Sequence, residues 1–366
     1  MAKESLSVKY RPKTFEDMTE QNAIKDILEN QIKTKTFQHG YLFTGPSGTG
    51  KTTSARIFAN MINEGKGNPI EVDAASNSGV DNVRQIIDDA KRKPLDAEYK
   101  IFIVDECHSL SSGSWQALLK TLEEPPKFTI FIFCTTDPQK IPNTILSRVQ
   151  RYNFQKISKN GIVKRLESIV FSENREHIEE TGGSQDAIND IEWAKQEGIK
   201  VIDCESDAIK YIAKVSNGGM RDAITLLDKC LSLSTDLSIE SVLQTIGSED
   251  YDTFFAFLEE LCNREKNCIT IIEHVYISGK DVKQFMKEFS KFILDVEKYI
   301  LYGTEEYMDI PATSENLEKL NGFKDKLRSE VFDVMELVVS LNEILKWEQD
   351  PKTLIELSLL LYCEGK

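Results

Sequence analysis

Apolar residues in the first 155 positions come as short runs separated by amphipathic stretches. Tyr41-Leu42-Phe43, Ile101-Phe102-Ile103-Val104 and Thr129-Ile130-Phe131-Ile132-Phe133-Cys134 are continuous, and Ile70-Glu71-Val72-Asp73 alternates. A short unbroken run predicts a strand covered on both faces. Between the runs, 21–32, 53–61, 80–91 and 114–122 carry helical spacing, the last with Trp115, Leu118, Leu119 and Leu122. Alternating strands and helices imply an α/β unit, a parallel sheet with helices on both faces. From Lys156 the strand signal fades, and 162–171, 206–215 and 220–231 read as helices closing near Leu237. Beyond Ser238 everything is helical. Val282, Phe285, Met286, Phe289, Ile293, Val296 and Ile300 recur at i, i+3, i+4, i+7, which reads as packing, and 325–347 and 352–363 behave alike. The pattern divides the chain into 1–157, 158–237 and 238–366.

Composition narrows this frame. A chain of 366 residues exceeds one typical domain, and 40% hydrophobic with 29% charged residues is ordinary for a well-cored protein. No apolar run approaches membrane-spanning length, so no membrane association is expected. The opening Met-Ala-Lys-Glu-Ser leads into no apolar segment, which predicts no secretory signal. Seven scattered cysteines form no C-x-x-C, so a reducing cytoplasmic setting is expected, without disulfides or zinc. A net charge of −15 argues against a stand-alone nucleic-acid binder, though not against a subunit touching DNA through a local patch. The stretch from Glu173 to Lys200 holds eight acidic residues against three basic ones. It reads as a solvated insertion or as a partner-binding appendage.

Two motifs carry chemistry. Gly45-Pro46-Ser47-Gly48-Thr49-Gly50-Lys51-Thr52 matches G-x-x-x-x-G-K-[ST] between a strand and a helix, followed by Thr53. In such a loop backbone N–H groups face phosphate oxygens, the lysine reaches the β and γ phosphates, and Thr52 would hold Mg²⁺. The apolar run 101–104 ends in Asp105-Glu106. This sets Asp105 at the carboxyl edge of the sheet to hold Mg²⁺, with Glu106 to orient and deprotonate water. Cys107 and His108 read as packing and polar contacts, not a metal pair. Thr135-Thr136-Asp137 ends another strand, as a phosphate contact or a strand-end cap. Arg148 and Arg221 suit a transferring phosphoryl group, or else surface ion pairs. The polar segment 7–21 is an arm, or with Tyr10, Arg11 and Pro12 the wall of a base pocket.

These stretches, with Lys9-Tyr10-Arg11-Pro12, Leu118-Leu119-Lys120-Thr121-Leu122-Glu123-Glu124-Pro125-Pro126, Thr135-Thr136-Asp137-Pro138-Gln139-Lys140, Ile145-Leu146-Ser147-Arg148 and Arg221-Asp222-Ala223, resemble the motor subunits of bacterial DNA polymerase III clamp loaders. More distantly they resemble replication factor C small subunits of the same AAA+ group. The resemblance covers about residues 4–232. It implies an ATP- and Mg²⁺-dependent AAA+ domain over 1–157, a helical lid over 158–237 with an acidic insertion at about 173–200, and a collar over 238–366. It implies a sensor role for Thr136, an arginine finger acting on a neighbour's ATP for Arg148, a second sensor role for Arg221, and an adenine pocket lined by Tyr10, Arg11 and Pro12. Ser76, Asn77, Ser78, Ser112 and Ser114 fall near helix starts that track the DNA backbone in the family. The implied partners are the other subunits of a homo- or hetero-pentamer, a sliding clamp and primer–template DNA.

Departures are visible. The family's four-cysteine zinc module is replaced by Asn63-Glu64-Gly65-Lys66-Gly67-Asn68, which predicts no zinc. Val149 stands where a cysteine is usual, and no tau-type tail is expected beyond the collar. These suggest a divergent loader of the bacterial cytosol, or of a host's if phage-encoded. Rival expectations are another DNA-processing AAA+ ATPase, a branch-migration helicase or initiator, and a non-hydrolysing stator subunit; the intact Lys51, Thr52, Asp105 and Glu106 argue against the last.

Overall fold

The computed structural model describes residues 4–180, 198, 201–246, 251–304, 307–308, 310, 314–326 and 328–365. The chain forms two compact units, Met1–Ser238 and Ile239–Lys366.

The first unit is built on strands β1 (Gly40–Thr44), β2 (Ile70–Asp73), β3 (Lys100–Asp105), β4 (Thr129–Thr135) and β5 (Gln150–Asn153). Their order is β2-β3-β4-β1-β5 and every pairing is parallel. β1 and β4 are buried at every position because helices cover both faces, which is why their sequences are continuously apolar. Alternate residues serve two core layers. Tyr41 and Phe43 pack with Phe15, Phe58 and Ile103 on one side, while Leu42 packs with Phe102, Phe131, Phe133 and Trp115 on the other. The fifth strand is absent from the sequence pattern. It lies at the sheet edge and buries only Tyr152 of Gln-Arg-Tyr-Asn, so no apolar run marks it. In parallel register Thr44 lies opposite Thr135 and Asp73 opposite Asp105. All carboxyl ends, with the residues that follow them, therefore meet at one edge.

Helices Lys159–Glu180, Ser206–Val215 and Met220–Leu233 follow, with a short parallel pair, β6 (Asp203–Cys204) and β7 (Asp236–Leu237). Two-residue bridges have no periodicity to read. The first of these helices outruns the expected 162–171 because its second half is polar. Most of the acidic stretch, 181–197 and 199–200, lies outside the described residues.

Among its described residues, the regular structure of the second unit is all helical. Its longest helix, Val282–Tyr302, starts at Asp281, whose side chain accepts from the Lys283 N–H at 2.8 Å, and ends at Gly303 in the left-handed conformation. The stripe Val282, Phe285, Met286, Phe289, Ile293, Val296 and Ile300 is buried throughout. Phe289 contacts the rings of Phe254, Phe257, Phe285 and Phe292 and is fully buried. Phe289→Ala should cost this unit about 3–5 kcal/mol, read as a lowered denaturation midpoint. A change below about 1 kcal/mol would mean that the aromatic cluster does not hold the unit together. Among the described residues no helix is long and apolar enough to cross a membrane.

Candidate nucleotide site

The loop between β1 and the helix Lys51–Ile62 is shaped by close approach. Gly45 has φ 143°, and a Cβ there would lie 2.3 Å from the Phe154 carbonyl oxygen. Gly48 has φ 71°, and a Cβ would lie 2.9 Å from the Gly219 Cα. Only glycine fits such positions. The Gly48 carbonyl accepts from the Met220 N–H at 3.0 Å, so the loop is bonded directly to the start of the helix Met220–Leu233.

Lys51 is 6% exposed, and its Nζ donates to the carbonyls of Gly45 (2.9 Å) and Pro46 (2.8 Å). Burial lowers its pKa, opposed by the negative charges of the nearby Glu106 and Asp105 carboxylates. A cation held at such a cost gains from a phosphate anion. Thr49 Oγ1 closes the loop by donating to the Pro46 carbonyl at 2.9 Å.

Across from the loop, Thr52 Oγ1 donates to Asp105 Oδ2 at 2.9 Å, and the Glu106 N–H donates to Asp105 Oδ1 at 3.0 Å. Glu106 occupies the left-handed region (φ 45°, ψ 42°), a conformation costing roughly 1–2 kcal/mol outside glycine. Its Oε2 lies 3.3 Å from Thr136 Oγ1 and 3.2 Å from His108 Nδ1. Thr135 is the strand-end cap, its Oγ1 accepting from the Asp137 N–H at 3.0 Å, while Thr136 meets Glu106. Cys107 is fully buried, and burial pushes its thiol pKa up. Among the described residues no group of three or more His, Cys, Asp or Glu is placed to hold a metal.

A cavity of about 330 Å³ gathers most of the expected side chains. Its walls include Tyr10, Arg11 and Pro12 from the arm, Ser47, Gly48, Thr49, Gly50, Lys51, Thr52 and Thr53 from the loop, then Asp105, Glu106 and Arg221. The arm is tied to the helix Lys159–Glu180. The Tyr10 hydroxyl donates to the Glu173 carboxylate at 2.8 Å, Lys9 pairs with Glu173 and Glu176, and Arg165 Nη2 donates to the Tyr10 carbonyl at 2.8 Å. Burial and the bond to Glu173 push the Tyr10 pKa up to about 12.

Gly45 and Pro46 stand behind the cavity as acceptors for Lys51, and Thr136 reaches it through Glu106. Arg148 is apart from it, exposed and ion-paired with Glu123. The proposed DNA residues cluster elsewhere. Ser76 Oγ donates to Asp73 Oδ2 at 2.7 Å, Asn77 Nδ2 donates to the Asp73 carbonyl at 3.0 Å, and Ser112 is exposed. Ser114 corrects the expectation. It is fully buried and its hydroxyl donates to the Ser78 carbonyl at 2.7 Å, so it braces that turn instead of facing a ligand. Met18, Thr19, Arg56, Ile157, Arg165, Met220 and Ile224 also line the cavity, although no sequence motif marks them. They come from separate segments, and no local spacing joins them.

A parallel five-stranded sheet presenting a phosphate loop and an Asp-Glu pair at its carboxyl edge, with a helix start bonded to that loop, defines a P-loop nucleotide-binding fold of the AAA+ kind. Residues 64–158 match the model of the DNA polymerase III delta subunit, and 195–236 match that of the DNA polymerase III clamp loader subunit ATPase lid domain. The tau subunit of DNA polymerase III from Bacillus subtilis is 31% identical over 100% of this chain and 64% of its own length. The gamma/tau subunit from Mycoplasma genitalium is 34% identical over 80% of this chain and 48% of its own. The gamma subunit from Buchnera aphidicola is 32% identical over 74% of this chain and 72% of its own. The chain belongs to the DNA polymerase III gamma/tau family of clamp-loader subunits. It spans between about half and two thirds of the first two of these relatives. Among solved structures, the Holliday junction branch-migration motor RuvB of Thermotoga maritima is 18% identical, with a TM-score of 0.47 over 69% of this chain and 79% of that one. That distance bears on no function.

Proposed function

We propose that the chain is the ATPase motor subunit of a sliding-clamp loader. ATP binding opens the clamp and grips primer–template DNA, and hydrolysis releases the clamp onto DNA. The observation that carries this reading is the meeting of Lys51, Thr52, Asp105, Glu106 and Arg221 around one cavity in a chain of this family. Phosphoryl transfer to water needs chiefly positioning and charge neutralisation, and these residue types supply both. Lys51 would bind the β and γ phosphates, and Arg221 would report closure of 158–237 as a lid. Glu106 orients and deprotonates the water, with Thr136 beside it. The Thr52 hydroxyl and Asp105 carboxylate are hard oxygen donors that fit Mg²⁺, which when bound neutralises phosphate charge. Tyr10, Arg11 and Pro12, with the apolar Met18, Ile157, Met220 and Ile224, suit a base. No zinc enters this scheme. Ser76, Asn77, Ser78 and Ser112 are the surface proposed for DNA backbone, and 238–366 the collar that builds the pentamer. The reading implies a cytoplasmic protein.

ATPase activity measured with clamp and primed DNA together should exceed that with either alone. Absence of joint stimulation would sink the loader reading, and strand displacement by the purified protein would favour a branch-migration motor.

A further inference from the structure

His108 has no part in the scheme above, yet its ring touches Glu106, just past the end of β3, and Thr135, the last residue of β4. The turn after β3 is held by its own backbone hydrogen bonds. The Ser109 and Leu110 N–H groups donate to the Glu106 and Cys107 carbonyls at 2.9 and 3.1 Å, and Cys107 is sunk in the core. From this turn His108 Nδ1 lies 3.2 Å from Glu106 Oε2 and 3.1 Å from Thr135 Oγ1. An ionised carboxylate only accepts, and a bare Nδ1 lone pair would face it repulsively. Nδ1 therefore carries the proton and shares it between the two oxygens. Thr136 Oγ1 brings a second donor to the same Oε2 at 3.3 Å. Neither donor is spent on Oε1.

The geometry points to His108 as a positioning residue for Glu106. Glu106 has a flexible side chain, and a lone carboxylate there would sweep through several rotamers. With Oε2 clamped by His108 and Thr136, and the backbone fixed in a left-handed turn, Oε1 is the oxygen presented to the attacking water. This rests on the reading of Glu106 as the residue that orients that water. His108 is not among the residues that line the cavity. It acts through the carboxylate it holds, as second donors to catalytic groups commonly do.

The test uses the full chain with His108→Ala and with His108→Asn, whose amide N–H sits near the place of Nδ1–H. His108→Ala should lower kcat for ATP hydrolysis roughly tenfold to a hundredfold, leave affinity for a non-hydrolysable ATP analogue within about twofold, and be largely rescued by His108→Asn. Independently of turnover, long-range proton–nitrogen spectra of ¹⁵N-histidine protein, which has four histidines, should show the Nδ1–H tautomer at His108. Its signals, identified by their loss in His108→Asn, should move in Glu106→Gln. Wild-type kcat in His108→Ala, parallel loss of analogue affinity, failure of the asparagine to rescue, or an Nε2–H tautomer would each overturn the assignment. A wild-type chain that binds no ATP analogue would instead overturn the ATPase reading beneath it.

Discussion

Arg148→Ala should bind ATP as the wild type does and lose about 10³-fold or more of the ATPase rate of the assembled protein, the scale of a removed arginine finger. The side chain is absent from the cavity that holds Lys51 and Asp105, so its own nucleotide should not notice the loss. Its present partners are weak competitors. Glu123 is half exposed, and an exposed ion pair contributes no more than about 1 kcal/mol. A neighbour's γ-phosphate, more highly charged and shielded from water, would outbid it easily. Analogue binding to the isolated chain and ATPase of the assembly are the two measurements. Loss of analogue binding in Arg148→Ala would contradict action in trans. If the chain assembles with copies of itself, mixing Arg148→Ala with Lys51→Ala should restore activity, since the second subunit keeps the finger and the first keeps the site.

Lys51→Ala should bind ATP about 10²-fold more weakly or worse, because two or more charge-assisted bonds to phosphate vanish. Its fold should suffer little. Removing a buried ammonium relieves a desolvation cost while leaving the Gly45 and Pro46 carbonyls without that donor, and the two effects oppose each other. The sign with pH separates them. Burial holds the folded-state pKa below the ordinary 10.5, so the folded chain releases this proton first. Wild-type stability relative to Lys51→Ala should therefore rise as pH approaches 10.5 and be lowest near neutrality. Calorimetric melting of both proteins across that range checks the slope, and a falling difference would mean that Lys51 is stabilised as a cation.

The parallel sheet was legible in the chain because its central strands are buried on both faces and must be apolar throughout. β5 was not, since an edge strand that buries one tyrosine looks like a loop. The sequence pattern for the helix Lys159–Glu180 stops short for the same reason, its polar half carrying no apolar stripe. Within the site, Lys51, Thr52, Asp105 and Glu106 could be read because each follows a strand at fixed spacing. Met18, Ile157 and Ile224 could not, because they meet only after the arm, the sheet edge and the helix Met220–Leu233 come together. Ser114 shows the converse error. Position near a helix start suggested a surface role, but the side chain turns inward to the Ser78 carbonyl. The sequence marks His108 as a polar contact, which it is; its partner Glu106 is what gives it meaning.

The near-touching backbones of Gly48 and Gly219 carry a lesson for anyone who screens this protein genetically. Neither residue offers a functional group, yet a methyl on Gly48 would wedge the phosphate loop off the helix start that carries Arg221. A hunt for inactive alleles would return Gly48 beside Lys51 and Glu106, and a map of hits would count it as chemistry. Its phenotype would instead report clearance, and a compensating change would be sought in the segment 217–220 rather than in the nucleotide.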